Sequence, residues 1–167
     1  MARLPVLIDM RGTQTVKIGG NLPKELAQEF LDAIGDGSYE FSGPAFKIEE
    51  IEGTFEGGMD IFYYDMHSDC TDNLLRFCQK NKLVYWGVME ADMEGPEVLC
   101  AWIPGLTKKP FYHNMVSGDL AFTVSDIEKI LRQIQRGTDT SQYSFALKVR
   151  KFKIPHLKVI EPKKCKG

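Results

Sequence analysis

Three amphipathic segments with a helical period, interleaved with short strand-like segments, constrain the fold of this chain more than any other feature. Apolar side chains recur at the 3.6-residue spacing within residues 22–34, 69–81 and 126–136, which predicts three helices. Because these alternate with strands without a repeated βαβ unit, we predict an α+β fold. It would have an antiparallel or mixed sheet with about three helices packed mainly on one face. Ferredoxin-like wiring, with a split β-α-β unit, is one way to connect it.

The helix ends carry specific signals. Asn21 is a good N-cap residue, and Pro23 suits a first helical turn. Ser125 followed three residues later by Glu128 fits the capping-box pattern at the start of the third helix. The apolar stripe of that helix is expected to be buried, and it consists of Ile127, Ile130, Leu131 and Ile134.

Strand-like segments are bounded by glycine, proline and aspartate. We predict strands at residues 5–10, 15–18, 46–52, 59–66, 83–90, 97–103, 120–124 and 143–154. Arg11-Gly12 would be the turn of a hairpin between the first two. Apolar and basic side chains alternate from Tyr143 to Ile154, which is typical of an exposed edge strand.

Composition places the chain among globular proteins. The chain has 43% apolar residues, with 10 Phe, 6 Tyr and 2 Trp. These side chains can form a hydrophobic core, which argues against intrinsic disorder. No apolar run reaches 18 residues, so we expect no membrane association. Four cysteines without a CxxC pair predict free thiols and a cytoplasmic location. We expect one α+β domain over residues 1–154 and, because of Pro155 and Pro162, a loose basic tail over residues 155–167.

The net charge of −2 conceals two large opposed charges. Residues 143–167 carry eight Lys or Arg residues and one acid, a charge of +7, so the rest of the chain carries −9. Residues 49–72 contain eight carboxylates and no Lys or Arg. Such asymmetry indicates an interaction surface, or internal compensation in which the basic tail lies against the acidic region.

The acidic region is the favoured binding surface, with a basic protein as its partner. The candidate residues are Glu49, Glu52, Glu56, Asp60, Asp65, Asp69 and Asp72. Rows of carboxylates can also imitate a phosphate backbone and so block nucleic-acid-binding proteins. The simplest alternative is that these carboxylates lie on a solvated face of the sheet without a binding role.

The basic segment supports a second hypothesis, weak contact with nucleic acid. Its candidate residues are Lys148, Arg150, Lys151 and Lys153, which lie among aromatic side chains. The isoelectric point of about 5.9 is well below the value of about 9 or more that is typical of nucleic-acid-binding domains.

Catalytic signatures are weak, and no cofactor motif stands out. Asp65, His67 and Asp69 share a face if they lie in a strand, and their donor atoms suit a transition metal. A strand-to-helix turn in which Ser68 and Asp69 cap the helix explains His67-Ser68-Asp69 fully and is the favoured interpretation, so no metal site is assigned. Cys70, at a predicted helix N-terminus, is the candidate reactive thiol. A small metal- or thiol-dependent enzyme is therefore the third hypothesis.

Residues 59–105 carry a further pattern. A strand and an acidic turn precede the helix Asn73-Leu74-Leu75-Arg76-Phe77-Cys78, and a hairpin then leads to Trp102-Ile103-Pro104-Gly105. This block resembles small uncharacterised modules in proteins of phages and other mobile elements. The resemblance implies an accessory protein that binds a host or defence component. We therefore favour a non-enzymatic, macromolecule-binding accessory protein.

Overall fold

A computed structural model of the protein describes residues 11–38, 46–51, 54–67, 70–91 and 97–161. These residues form an eight-stranded mixed sheet and four α-helices, which confirms the α+β class. The strands are β1 Arg11–Pro23, β2 Thr54–Phe55, β3 Met59–His67, β4 Val84–Ala91, β5 Glu97–Trp102, β6 Phe111–Val116, β7 Asp119–Leu120 and β8 Leu157–Ile160. The helices are α1 Ala27–Ile34, α2 Asp72–Asn81, α3 Val124–Gln135 and α4 Ser141–Arg150.

Strand β1 is the centre of the sheet. It pairs antiparallel with β3 on one side and with β4 on the other, so β3 and β4 run parallel to each other. The unit β3–α2–β4 is therefore a split β-α-β unit with β1 between its strands. The sheet continues beyond β4 as the antiparallel series β5, β6 and β7. At the far end of β1, Gly20–Pro23 pair in parallel with β8, which also pairs with β2.

One face of the sheet packs against α1 and α2. Ile18, Ile61 and Tyr85 from the strands meet Phe30 of α1 and Leu74 of α2 in one buried cluster. Burying a large apolar side chain contributes about 1.5–3 kcal/mol to stability, so this cluster is the main energetic support of the fold. The buried Tyr63 hydroxyl donates a hydrogen bond of 2.9 Å to the Ile34 carbonyl, which joins β3 to the end of α1.

The opposite face packs against α4. Neighbouring residues of a strand point to opposite faces, and Val84 belongs to a different buried cluster from Tyr85. The cluster of Val84 also contains Leu99 of β5 and Val149 of α4. Phe145 of α4 meets Phe111 of β6 edge to face, with 5.4 Å between the ring centroids. The sheet is therefore covered by helices on both faces.

Strands β3, β4 and β5 and helix α2 lie where the sequence predicts them, within about three residues at each end. The hairpin at Arg11-Gly12 is wrong, because both residues lie within β1; residues 1–10 are outside the described part of the chain. The first helix begins later than predicted. Pairing with β8 keeps Gly20–Pro23 extended, so Asn21 caps no helix and a 3₁₀ turn precedes α1.

Three further segments differ from the prediction. Ile48–Ile51 form a 3₁₀ helix rather than a strand. The predicted edge strand over residues 143–154 is helix α4, whose buried Ala146 and Val149 are three residues apart and face the sheet together. The predicted loose tail instead contributes β8, whose Leu157 is fully buried between β1 and β2. Residues 162–167 lie outside the described residues.

Helix α3 begins two residues before its predicted start. Its cap is Thr123, which forms a reciprocal capping box with Asp126, in place of the predicted Ser125 and Glu128. The expectation of a buried stripe is wrong, since Ile127, Leu131 and Ile134 are exposed. In the part of the chain that the structure describes, no helix is long and apolar enough to cross a membrane.

Gly19 is needed where the chain before β8 crosses β1. A Cβ atom there would collide with the Pro155 carbonyl oxygen and lie 2.9 Å from Ile154 Cγ2. We expect Gly19→Ala to lower the free energy of unfolding by about 1–3 kcal/mol, because the backbone at Pro155 must move away. Urea denaturation measures this loss, with the exposed Ser144→Ala as control. An unchanged midpoint for Gly19→Ala would contradict the close approach.

Candidate functional site

The acidic candidates are divided among several elements. Glu49 lies in the 3₁₀ helix Ile48–Ile51, Glu56 in the turn after β2, and Asp72 at the start of α2, and all three are exposed. Asp60 on β3 forms an ion pair of 3.2 Å with Lys17 of β1, so its charge is already partly compensated. The backbone of Asp65 lies in β3, whereas Glu52 and Asp69 lie outside the described residues.

These carboxylates do not all lie at one end of the sheet. Asp72 lines a cavity beside Gln14 of β1. The turn that follows Glu56 reaches the other end of β1, where Gly58 approaches the Ile18 carbonyl oxygen. Gln14 and Ile18 are four residues apart, or roughly 13 Å along an extended strand. Asp72 is therefore separate from Glu56. Glu49 precedes β2 and Glu56 follows it in the chain, and we call these two residues the acidic edge.

The basic candidates are on and after α4. Lys148, Lys151 and Lys153 are exposed, and no ion pair joins them to any side chain in the described ranges. Arg150 differs, because its guanidinium donates two hydrogen bonds to the Asp119 carboxylate on β7. The hydrogen bond from Arg150 holds the pKa of Asp119 below its usual range. Arg150 therefore ties α4 to the edge of the sheet.

The acidic and basic segments meet within the sheet. Thr54 and Phe55, from the acidic stretch, pair with Lys158 and Leu157 of β8. Glu161, just after β8, forms an ion pair of 3.1 Å with Lys24. The two segments are therefore adjacent at this edge through backbone hydrogen bonds, but in the described residues no ion pair joins a base of residues 143–161 to an acid of residues 49–72.

A polar cavity lies between α2 and the sheet, where sequence reasoning placed no site. Its volume is about 40 Å³, and its polar lining comes from Gln14, Thr71, Asp72, Tyr85, Cys100 and Tyr112. At roughly 10–15 Å³ per water, it has room for about two to four waters and is too small for a metabolite. The available signal was Gln14, which alternates with Val16 and Ile18 on the inward face of β1 yet is polar and buried.

The thiol of Cys100 and the phenols of Tyr85 and Tyr112 are held in their protonated forms. Burial raises the pKa of the Cys100 thiol to about 12, and it also raises the pKa of Tyr85 and Tyr112. Thiols and phenols of this kind donate hydrogen bonds near neutral pH and are poor nucleophiles. These three groups therefore offer the cavity hydrogen-bond donors rather than activated nucleophiles.

The enzyme hypothesis rests on residues that the structure describes only in part. The side chains of Asp65 and His67 and the whole of Asp69 lie outside the description. In the described ranges, no group of His, Cys, Asp or Glu residues could hold a metal ion. Cys70 is half-buried and lies just before Thr71, the N-cap residue of α2. The metal- or thiol-dependent enzyme stays an alternative hypothesis.

Comparison of the chain with protein-family models, curated proteins and solved structures gives no significant match. The resemblance of residues 59–105 to phage and mobile-element modules therefore stays a prediction.

The raised pKa of Cys100 has a direct consequence for its reactivity. At about pH 8 a thiol of pKa about 12 is roughly 0.01% thiolate, against about 20% for an ordinary thiol. We expect iodoacetamide to modify Cys100 about a thousandfold more slowly in the folded protein than in concentrated urea. Peptide mass spectrometry gives the rate for this cysteine separately. Similar rates in the two conditions would contradict its burial.

Proposed function

We propose that this protein is a non-enzymatic accessory protein that binds a basic protein partner through its acidic edge. The proposal includes two expectations from the sequence: that the protein is located in the cytoplasm and that it belongs to a phage or another mobile element. The observation that carries the proposal is the exposure of Glu49 and Glu56 in neighbouring segments beside the edge strand β2.

Proximity supports the idea of a shared surface. Only three residue steps separate Ile51, at the end of the 3₁₀ helix, from Thr54 of β2, so these positions are at most about 11 Å apart. The Glu50 carboxylate accepts a hydrogen bond of 2.7 Å from the Lys47 backbone and so fixes the 3₁₀ helix on which Glu49 lies. The acidic edge is therefore presented by ordered backbone.

Electrostatics favour a basic partner for this edge. Residues 49–72 contain no Lys or Arg, so no base from the same stretch competes for Glu49 and Glu56. Complementary charge steers association and disfavours partners of like charge. Asp60 is a weaker candidate for contact, because Lys17 already pairs with it.

The proposal is tested with a fluorescent octalysine peptide as a probe of the acidic edge. We expect Glu49→Lys combined with Glu56→Lys to weaken binding at least about tenfold at physiological salt, where screening limits each charge to about 8 Å. Fluorescence anisotropy measures the affinity. The control, Glu25→Lys with Glu90→Lys, changes two other exposed glutamates by the same charge and should weaken binding less than about threefold. Equal losses for the two variants would refute a localised acidic site.

The exposed lysines of the α4 region favour a second candidate function, contact with nucleic acid. Lys148, Lys151 and Lys153 are available for phosphate, whereas Arg150 is already bound to Asp119. Contacts of this kind position a nucleic acid without reading its sequence.

This second function predicts salt-dependent binding of a labelled duplex of random sequence. Replacing Lys148, Lys151 and Lys153 with Gln should remove up to three phosphate contacts. The slope of the logarithm of the binding constant against the logarithm of the salt concentration should then become shallower by about 2.7. Electrophoretic mobility shifts over a salt series measure it. The matched control neutralises the exposed Lys108, Lys109 and Lys129. No binding by the native protein at low salt would exclude this function.

A further inference from the structure

Helix α3 carries an apolar stripe that the described part of the chain leaves exposed. We call the α3 stripe the side chains of Val124, Ile127, Leu131 and Ile134, which are 74%, 48%, 54% and 61% exposed. No residue of α3 is buried. The successive spacings of three, four and three residues are those of the a and d positions of a heptad, the pattern by which one helix packs along another.

The α3 stripe has two flanks on the helix surface, and only one of them, which we call the open side, is exposed to solvent. Glu128 and Arg132 border it on one side and are exposed. Ile130 and Gln133 lie towards the other side and are partly buried, and the Gln133 side-chain oxygen is fully enclosed. A second helix that packs along the stripe therefore also has access to the flank that carries Glu128 and Arg132, but not to the flank that carries Ile130 and Gln133.

We propose that α3 is the contact surface of a homodimer in which two copies of α3 pack antiparallel about a two-fold axis. In this arrangement the open side of one helix faces the open side of the other, as an isologous interface requires. Glu128 precedes Arg132 by one turn, so reversing the helix direction places each glutamate opposite the partner's Arg132. A parallel pair would instead bring the open side against the partly buried side.

Charges within α3 support the second copy as the occupant. Arg132 already donates a hydrogen bond of 3.0 Å to Glu128 of its own helix, and both groups stay exposed. Two such pairs meeting at the two-fold axis form a four-membered network of alternating charge. The antiparallel helix dipoles add to the attraction. The same surface thus has an apolar centre and self-complementary charge beside it.

The size of the surface predicts weak association. One helix of 12 residues from each copy falls below the total of about 1,200 Å² that is typical of stable complexes. We expect a dissociation constant on the order of 10–100 µM. The dimer does not involve the acidic edge, so its test is independent of the proposed function.

Sedimentation velocity of the full chain, from about 5 to about 500 µM, tests the dimer. We expect Leu131→Asp with Ile134→Asp to be monomeric throughout this range. The matched control, Leu147→Asp with Val116→Asp, replaces apolar side chains that are 49% and 62% exposed elsewhere and should dimerise like the native chain. Circular dichroism shows whether each variant is folded. A native chain that stays monomeric, or a dimer that survives the α3 substitutions, would overturn the proposal.

The antiparallel arrangement has its own test in a mixing experiment. Glu128→Arg alone and Arg132→Glu alone should each weaken self-association at least about tenfold, because like charges then meet across the axis. Mixing the two variants should restore dimerisation, since each arginine side then faces a glutamate side. A mixture that associates no more than its components would exclude this pairing.

Discussion

The pairing of β1 on both sides holds the rest of this structure in place. Its first part lies between β3 and β4, and its last four residues turn to β8. Every major buried cluster is built on a strand that this pairing positions. Side chains of β1 itself lie in the cluster beneath α1 and α2, whereas the cluster beneath α4 is built from β4, β5 and β6.

The same pairing controls the distribution of charge. Strand β8 carries part of the basic segment into the sheet, where β2 from the acidic stretch joins it. The acidic stretch and the basic segment thus meet at one sheet edge through β2 and β8, while other charged residues of both segments lie elsewhere. Glu49, Glu56 and the lysines of the α4 region remain exposed. The surface available for binding is consequently narrower than the sequence suggested.

Helices α3 and α4 show how apolar patterns mislead in opposite directions. The α3 pattern has ideal helical spacing, and its helix is confirmed, yet its stripe faces outwards because little of the described chain packs against it. The α4 pattern alternates as in a strand. Its Ala146 and Val149 are nevertheless buried on one helical face, and Val149 packs in one cluster with residues of β4 and β5. Arg150 binds Asp119 on β7. The periodicity of a sequence indicates which apolar side chains share one face of a helix or strand. Whether that face is buried depends on whether another part of the chain packs against it.

The sequence by itself determined the α+β class, helix α2 and strands β3, β4 and β5, because local periodicity and turn residues act over only a few positions. Tertiary structure alone decided the extended course of Gly20–Pro23, the β8 strand in the expected tail and the helical state of residues 141–150. It also decided that Glu56 and Asp72 lie apart. These features depend on pairing and burial between residues far apart in the chain, where long-range contacts outweigh local propensity.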